Sequence, residues 1–229
     1  CKLYDGDNEF TIKKSRLRGV DSFGMICAED EIGVGTDHNG IIVLPDDAVV
    51  GTPAAEYYHL ESDWVIDIDI TANRADALSH YGVARDLYAW LVQRGYKTSL
   101  HRPDCSKFHV DNEDMLIDVE IENTDACKRY ACLSITDCEV KESPKWLQDK
   151  LTVIGLRPIN NIVDITNYIM MAYGQPMHCF DADKVTGHKI VVRTQPEGTK
   201  FVTLDGEEHI LGEHDLSICN AEEPMCIAG

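Results

Sequence analysis

Residues 157–181 constrain the fold most, because they combine a helical apolar pattern with clear signals for where the helix begins and ends. Apolar side chains nearly surround residues 162–173, which predicts a buried helix. Asn160 or Asn161 is suited to cap its first turn, and Gly174 stands where a left-handed residue commonly ends a helix.

Two polar side chains, Thr166 and Asn167, interrupt the apolar surface of this helix. Each needs a hydrogen-bond partner if buried, because leaving it unpaired costs about 1–3 kcal/mol. If the chain turns after Gly174 and returns extended, about four residues match the rise of about nine helical residues. We therefore expect His178 to lie level with both side chains. The alternative is an ordinary core helix with an internally satisfied threonine and a surface histidine.

The rest of the chain alternates strand patterns with further helices, which predicts an α+β fold with mostly antiparallel sheet. One helix is predicted over residues 80–94, and a second opens at Ser143, which a proline follows, and stops at Gly155. Asp205 and Gly206 predict a hairpin turn. The predicted strands are 10–17, 64–71, 116–121, 130–136, 189–193, 201–204, 208–211, 216–219 and 225–228.

The net charge is −19, which argues against a broad nucleic-acid-binding face but leaves room for a pocket that receives only an RNA end. No run of 18 apolar residues is present, so we expect no membrane span. The nine cysteines are scattered and never spaced Cys-x-x-Cys, which favours reduced thiols in a cytoplasmic protein.

Metal and thiol chemistry are weaker interpretations of the same sequence. Asp67, Asp69 and Asp76 resemble a metal cluster, but alternation along a strand favours exposed charges. The histidines and cysteines lack zinc-ligand spacing, so no metal site is predicted. Cys179 follows His178, yet neighbours on an extended segment face opposite ways, which disfavours a Cys–His dyad.

The densest basic cluster consists of Lys13, Lys14, Arg16 and Arg18. These side chains are candidates for contact with an RNA backbone. The alternative is a solvated edge strand that its charges protect from aggregation.

Two consecutive motifs resemble the β subunit of bacterial phenylalanyl-tRNA synthetase: Asn-Asn-Ile-Val-Asp-Ile-Thr-Asn-Tyr at 160–168 and Gly-Gln-Pro-Met-His-Cys-Phe-Asp at 174–181. More specifically, they resemble the B3/B4 domain of that subunit, which hydrolyses mischarged tyrosyl-tRNA. Residues 18–33 resemble the closing part of its tRNA-binding OB domain, and residues 70–87 resemble its small helical domain.

This resemblance implies three domains: the end of an OB-like domain over 1–52, a small helical domain over 53–100, and an editing domain over 101–229. The chain starts with cysteine and its last residues end an apolar run, so we expect it to be part of a longer protein. The editing domain would then continue beyond the last residue.

The resemblance also implies the site residues. Thr166, Asn167 and His178 are carried over as catalytic. The implied substrate-binding residues are Asn161, Gln175, Ala228 and Gly229, the last two opening the family's Ala-Gly-x-x-Gly-Gly loop. The family's glutamate that reads the tyrosine hydroxyl falls beyond this chain, so we expect the chain alone to be inactive.

The implied function is post-transfer editing, the hydrolysis of Tyr-tRNA(Phe). The implied partners are tRNA(Phe) and the synthetase α subunit in an (αβ)2 heterotetramer. No cofactor is implied within this chain, whereas ATP and Mg²⁺ act elsewhere in the parent enzyme. The alternative is a non-catalytic scaffold or tRNA-docking module of the synthetase.

Overall fold

The computed structural model describes residues 2–5, 8–35, 37–60 and 64–229. It divides into two compact units, Cys1–Trp64 and Val65–Gly229. The predicted domain boundaries after residues 52 and 100 stay predictions, because one compact unit can contain more than one domain. Within the described residues, no helix has both the length and the apolar character that crossing a lipid bilayer requires.

In its described residues, the first unit contains two short antiparallel hairpins, a 3-10 helical turn at Asp30–Ile32 and a short α-helix. Its elements are β1 Lys2–Asp5, β2 Asn8–Thr11, β3 Ser15–Leu17, β4 Val20–Ser22 and α1 Ala54–Tyr57. β1 pairs with β2, and β3 pairs with β4. The predicted strand over 10–17 is therefore wrong in its middle, since residues 12–14 separate two strands that pair with different partners.

Three helices of the second unit lie where the sequence predicted them. They are α2 His80–Gln93, α3 Lys145–Thr152 and α4 Asn161–Tyr173. However, α3 starts after Pro144, and the Ser143 hydroxyl bonds Asp164 instead of capping it. The side chain of Asn160 caps α4 by accepting from the amides of Ile162 and Val163, and Gly174 ends it with a φ of 74°. The predicted start and end of α4 are confirmed.

The second unit also contains a mixed sheet and a separate hairpin. Its strands are β5 Asp118–Ile121, β6 Lys189–Thr194, β7 Thr199–Val202, β8 Glu208–Leu211, β9 Leu216–Cys219 and β10 Pro224–Ile227. The four-stranded sheet has the order β10-β9-β6-β5, in which only β5 and β6 are parallel. β7 and β8 form the predicted hairpin around Asp205 and Gly206. The α+β fold class is confirmed.

The apolar core of this unit lies on one face of the sheet. Its buried members are Val185, Ile190, Val192 and Ile218, and partly buried side chains pack against them, including Tyr130, Phe180 and Cys226. Phe180 and Val185, which precede β6 in the chain, therefore lie against this face of the sheet. The neighbouring residue His178 lies close to β10 for this reason.

The prediction that α4 is buried is wrong. Only Asp164 is fully buried, while Ile165 is 48% exposed and Tyr173 is 42% exposed. α4 packs against α3 and α2, which leaves part of its circumference uncovered. A prediction of burial from apolar residues on all sides of a helix is therefore too high when neighbouring helices cover only some of those sides.

Two predicted strands are also wrong. Residues 64–71 and 130–136 have no regular secondary structure, and most of their side chains are exposed, including Ile66 and Leu133. Alternating polarity favours a strand only when a neighbouring strand supplies hydrogen bonds. Among the described strands, none pairs with either segment.

Candidate functional site

His178 lies in the extended segment after α4, with its ring exposed to solvent. Its Nδ1 atom is 3.8 Å from the Sγ atom of Cys226 in β10. Its ring also stacks on Phe180, with ring centroids 6.2 Å apart and ring planes at 20°. Because Phe180 packs against the core, these two contacts hold an exposed imidazole on an ordered surface.

β10 leads directly from Cys226 to the predicted glycine loop. Ala228 donates its backbone amide to the Leu216 carbonyl at 2.7 Å, and the Leu216 amide donates to the Gly229 carbonyl at 2.6 Å. Gly229 has a φ of 136°, and a Cβ added there would meet no atom within 4 Å. The structure therefore brings His178 close to the strand that carries two predicted substrate-binding residues.

The sulfur that contacts His178 belongs to Cys226, a residue that the sequence did not single out. Burial raises the pKa of the Cys226 thiol to about 11, although the Ile218 backbone amide acts in the opposite direction. The thiolate is the nucleophilic form of cysteine. A neutral thiol beside His178 is therefore a poor nucleophile, which disfavours a Cys–His dyad at this position.

A half-buried phenol lies beside the same thiol. Burial is the main cause that raises the pKa of Tyr130 to about 12, and nearby Cys132, Cys226 and Cys127 add to it. Burial also raises the pKa of the Cys132 thiol. These groups are neutral near pH 7, and all eight cysteines in the described part of the chain have free thiols.

Thr166 and Asn167 lie next to each other on α4 but differ in their bonding. The Thr166 hydroxyl donates to the Val163 carbonyl of its own helix at 2.7 Å. The half-buried Asn167 amide has no hydrogen-bond partner among the described residues. No hydrogen bond within this part of the chain joins His178 to either side chain. The predicted juxtaposition with His178 stays a prediction.

Asn161 serves the fold directly. Its Nδ2 donates to the Glu139 carbonyl at 2.9 Å, and its Oδ1 accepts from the Lys141 amide at 3.1 Å. Gln175 is exposed and donates to the Pro176 carbonyl at 3.2 Å. The side chain of Asn161 therefore has less bonding capacity left for a substrate than that of Asn167.

Asp164 is fully buried within the same motif and was not predicted as important. Its two carboxyl oxygens accept from the Ser143 hydroxyl at 2.5 Å and from the Ile159 amide at 2.9 Å. These bonds join α4 to the start of α3 and to the loop before α4. A lone acidic residue near the start of an apolar helix was the available signal.

The predicted basic cluster lies in the first compact unit. The Lys14 ammonium pairs with Asp21 at 2.8 Å and lies 4.7 Å from the centre of the Phe23 ring. The guanidinium of Arg16 donates to the Gly19 carbonyl at 3.1 Å. A cavity of about 370 Å³ is lined partly by Lys13 and Lys14. The cluster thus keeps exposed cations beside a concave surface.

Of the three aspartates considered as a metal cluster, only Asp76 forms ion pairs among the described residues. The Arg74 guanidinium donates to the Asp76 carboxylate at 2.9 Å, and Arg85 forms a second ion pair with the same carboxylate. The hydrogen bonds from Arg74 are the main cause that lowers the pKa of Asp76. Asp67 and Asp69 are exposed. In the described part of the chain, no three histidine, cysteine or acidic side chains form a group that could hold a metal ion.

A second cavity, of about 340 Å³, lies at the carboxyl ends of the parallel strands β5 and β6. Its lining is polar and contains Glu122, Asn123, Thr124, Asp125, Arg193 and Thr194. It includes none of the predicted site residues among the described ones. The surroundings of His178 are therefore the Cys226 and Phe180 side chains at an exposed surface, and this cavity is not part of them.

Comparison with known proteins identifies the region around this site. Residues 126–229 match the B3/4 domain family. The whole chain is 64% identical over 228 residues to the phenylalanine–tRNA ligase β subunit of Bacteroides fragilis and 63% identical to that of Bacteroides thetaiotaomicron. The Porphyromonas gingivalis subunit is 56% identical over 99% of the chain.

The chain spans 28% of the length of each of these three relatives. The B3/4 match contains α3, α4, His178 and Gly229, whereas the relatives align along both compact units. The predicted resemblance is confirmed: the chain belongs to the phenylalanine–tRNA ligase β subunit family.

Proposed function

We propose that this chain supplies part of the editing site of a phenylalanine–tRNA ligase, which hydrolyses tyrosine mischarged onto tRNA(Phe). The observation that carries the proposal is the position of His178. Its exposed imidazole contacts the strand that leads to Ala228 and Gly229, within the segment that matches the B3/4 domain.

A physical need supports such a site. An apolar pocket built for phenylalanine rejects a ligand with one extra hydroxyl poorly, by about a hundredfold. A second site that accepts the hydroxyl removes the error after transfer. The bond to be broken is an aminoacyl ester, so orienting water and polarising the carbonyl supply much of the required assistance.

The reaction proceeds by attack of water on the ester carbonyl carbon. The carbon–oxygen bond to the terminal ribose then breaks, which releases tyrosine and leaves a ribose hydroxyl. His178 orients the water or the terminal adenosine. Thr166 and Asn167 bond the ester end or the ribose, and the unpaired amide of Asn167 supports this role.

Gly229 allows the tyrosine ring to approach the backbone. Its φ of 136° suits glycine better than any other residue. Ala228 and Gln175 complete the substrate-binding set that we propose, together with the remaining bonding capacity of Asn161.

We further infer that the whole protein acts in the cytoplasm with tRNA(Phe) and a synthetase α subunit, in an (αβ)2 assembly. ATP and Mg²⁺ are used elsewhere in that enzyme. The charge of −19 argues against a broad tRNA-binding face and leaves room for contact with the acylated RNA end alone.

The test is deacylation of Tyr-tRNA(Phe) by the complete α/β enzyme, by its His178→Ala variant and by this chain alone. We expect the complete enzyme to hydrolyse the ester and His178→Ala to slow it by at least about a hundredfold, in the range typical of general acid–base or positioning groups. Phe-tRNA(Phe) synthesis serves as the control and should be unchanged. Equal hydrolysis by wild type and His178→Ala would contradict the proposal.

The second candidate is a non-catalytic scaffold or tRNA-docking module, which the exposed cations beside the first-unit cavity favour. This alternative predicts that replacing Lys13 and Arg18 weakens tRNA binding while hydrolysis per bound tRNA is unchanged. An inert complete enzyme would support it, whereas loss of hydrolysis in His178→Ala alone would exclude it.

A further inference from the structure

The contact between His178 and Cys226 bears on which ring nitrogen of the histidine carries the proton. A neutral imidazole has one N–H donor and one acceptor nitrogen, and the partner of one nitrogen determines the role of the other. Within the described residues, the only hydrogen-bond partner of Nδ1 is the Cys226 sulfur at 3.8 Å. The direction of this bond therefore decides what Nε2 offers to a ligand.

The surroundings of the sulfur favour the thiol as donor. Burial raises the pKa of Cys226 to about 11, so the sulfur keeps its proton near neutral pH. The backbone of Ile218, the residue paired with Cys226 across β9 and β10, lowers this pKa in part, but the pKa stays raised. Tyr130 and Cys219, the other ionisable groups beside it, add no positive charge. The S–H bond is thus the free donor of this group.

We infer that Cys226 is a positioning residue, whose thiol donates to Nδ1 of His178 so that Nε2 carries the ring proton. Phe180 stacks on the ring and holds its plane, and the contact with Cys226 selects between the two orientations related by a 180° flip about the Cβ–Cγ bond. His178 then presents an N–H donor to the ligand. This inference rests on the proposed function, because it assigns His178 as a hydrogen-bond donor to the water or the terminal adenosine instead of a base.

The first test is nitrogen NMR of the full 229-residue chain, with labelled histidine and with His178→Gln to assign the signals. We expect an unprotonated Nδ1 and a protonated Nε2 in the wild type. Cys226→Ser should keep this tautomer, because a hydroxyl also donates, while Cys226→Ala should yield a mixture of both. A protonated Nδ1 in the wild type, or an unchanged tautomer in Cys226→Ala, would overturn the inference.

The second test is hydrolysis of Tyr-tRNA(Phe) by the complete enzyme carrying the same substitutions. We expect Cys226→Ala to lower the rate about fivefold, the effect of one modest hydrogen bond, and Cys226→Ser to stay within about twofold of wild type. A Cys226→Ala rate equal to wild type would remove the positioning role while leaving the proposed function intact. An inert wild type would remove the proposed function and this role with it, whereas the NMR result would still decide the tautomer.

Discussion

The two ends of the motif at 157–181 carry similar polar side chains but use them differently. At the first end, Asn160, Asn161 and Asp164 bond backbone groups or the Ser143 hydroxyl. At the second end, after Gly174, His178 is exposed and its described bond is a weak one to sulfur. The polar groups at the first end thus stabilise the fold, whereas His178 at the second end has hydrogen-bonding atoms available for a ligand.

This contrast shows how polar residues in one motif can be sorted by physical role. A polar group that is buried and fully bonded stabilises the native chain, because its loss leaves partners unpaired. A polar group that is ordered yet incompletely bonded contributes little to stability and remains available for binding. Asn161 and Asn167, six positions apart on the same helix, differ in the same way.

The largest effect is expected from Asp164→Ala. The substitution leaves the Ser143 hydroxyl and the Ile159 amide without their partner, so unfolding free energy should fall by about 3 kcal/mol. Urea denaturation of the chain measures it. The control is Asp149→Ala, which removes an exposed ion pair with Lys145 and should cost less than about 0.5 kcal/mol. Equal losses would break the contrast between the two ends.

A smaller effect is expected from Gly174→Ala, at the boundary between the two ends. Its φ of 74° should cost about 1–2 kcal/mol with alanine. Gly95→Ala is the matched control, since Gly95 has a φ of 79° but open space around it. An added Cβ at Gly174 would lie 3.4 Å from Ser79, an ordinary van der Waals contact, so thermal denaturation should show similar losses for the two variants. A much larger loss for Gly174→Ala would show that Ser79 does not accommodate the added methyl group.

Next in size is Asn161→Ala, which removes two bonds to the segment before α3. We expect a loss of about 1 kcal/mol, because the bonds are partly exposed to water. Asn167→Ala is its control on the same helix, with an expected change below about 0.5 kcal/mol. Hydrolysis of Tyr-tRNA(Phe) should respond in the opposite order, with Asn167→Ala more damaging. If both variants changed stability and hydrolysis equally, the number of hydrogen bonds that each asparagine makes would not distinguish a structural role from a binding role.

The smallest effect on stability is expected from His178→Ala, below about 0.5 kcal/mol, because the ring is exposed. The control is Phe180→Ala, which removes a side chain packed against the core and should destabilise the chain clearly more. Both are measured by urea denaturation. A loss for His178→Ala as large as that for Phe180→Ala would make His178 a structural residue.

Local rules predicted part of the fold well. The cap at Asn160, the end at Gly174 and the turn at Asp205 and Gly206 follow from the conformational preferences of these residues. The strands at 64–71 and 130–136 failed, because a strand depends on a partner that its own residues do not specify. The burial of α4 failed for a related reason, since coverage depends on which helices lie beside it.

The candidate site was predicted unevenly. The motif that contains His178 identified the family, which the comparisons confirm, and it named Thr166 and Asn167 as candidates. It did not reveal Cys226, which lies 48 residues away in sequence and reaches His178 through the antiparallel strands. Nor did it reveal the burial of Asp164, because one of its two partners, Ser143, lies outside the motif.

The sequence by itself determined the family, the α+β class and the ends of its strongest helix, because each depends on local preference or on a long uninterrupted motif. The tertiary structure alone decided which polar groups are bonded and which remain free. Hydrogen bonds between distant segments form only when the chain brings donors and acceptors within about 3 Å. Asp164 meets that condition through Ser143 and Ile159, whereas the described contact of His178 is a longer one to sulfur, although both residues belong to one motif.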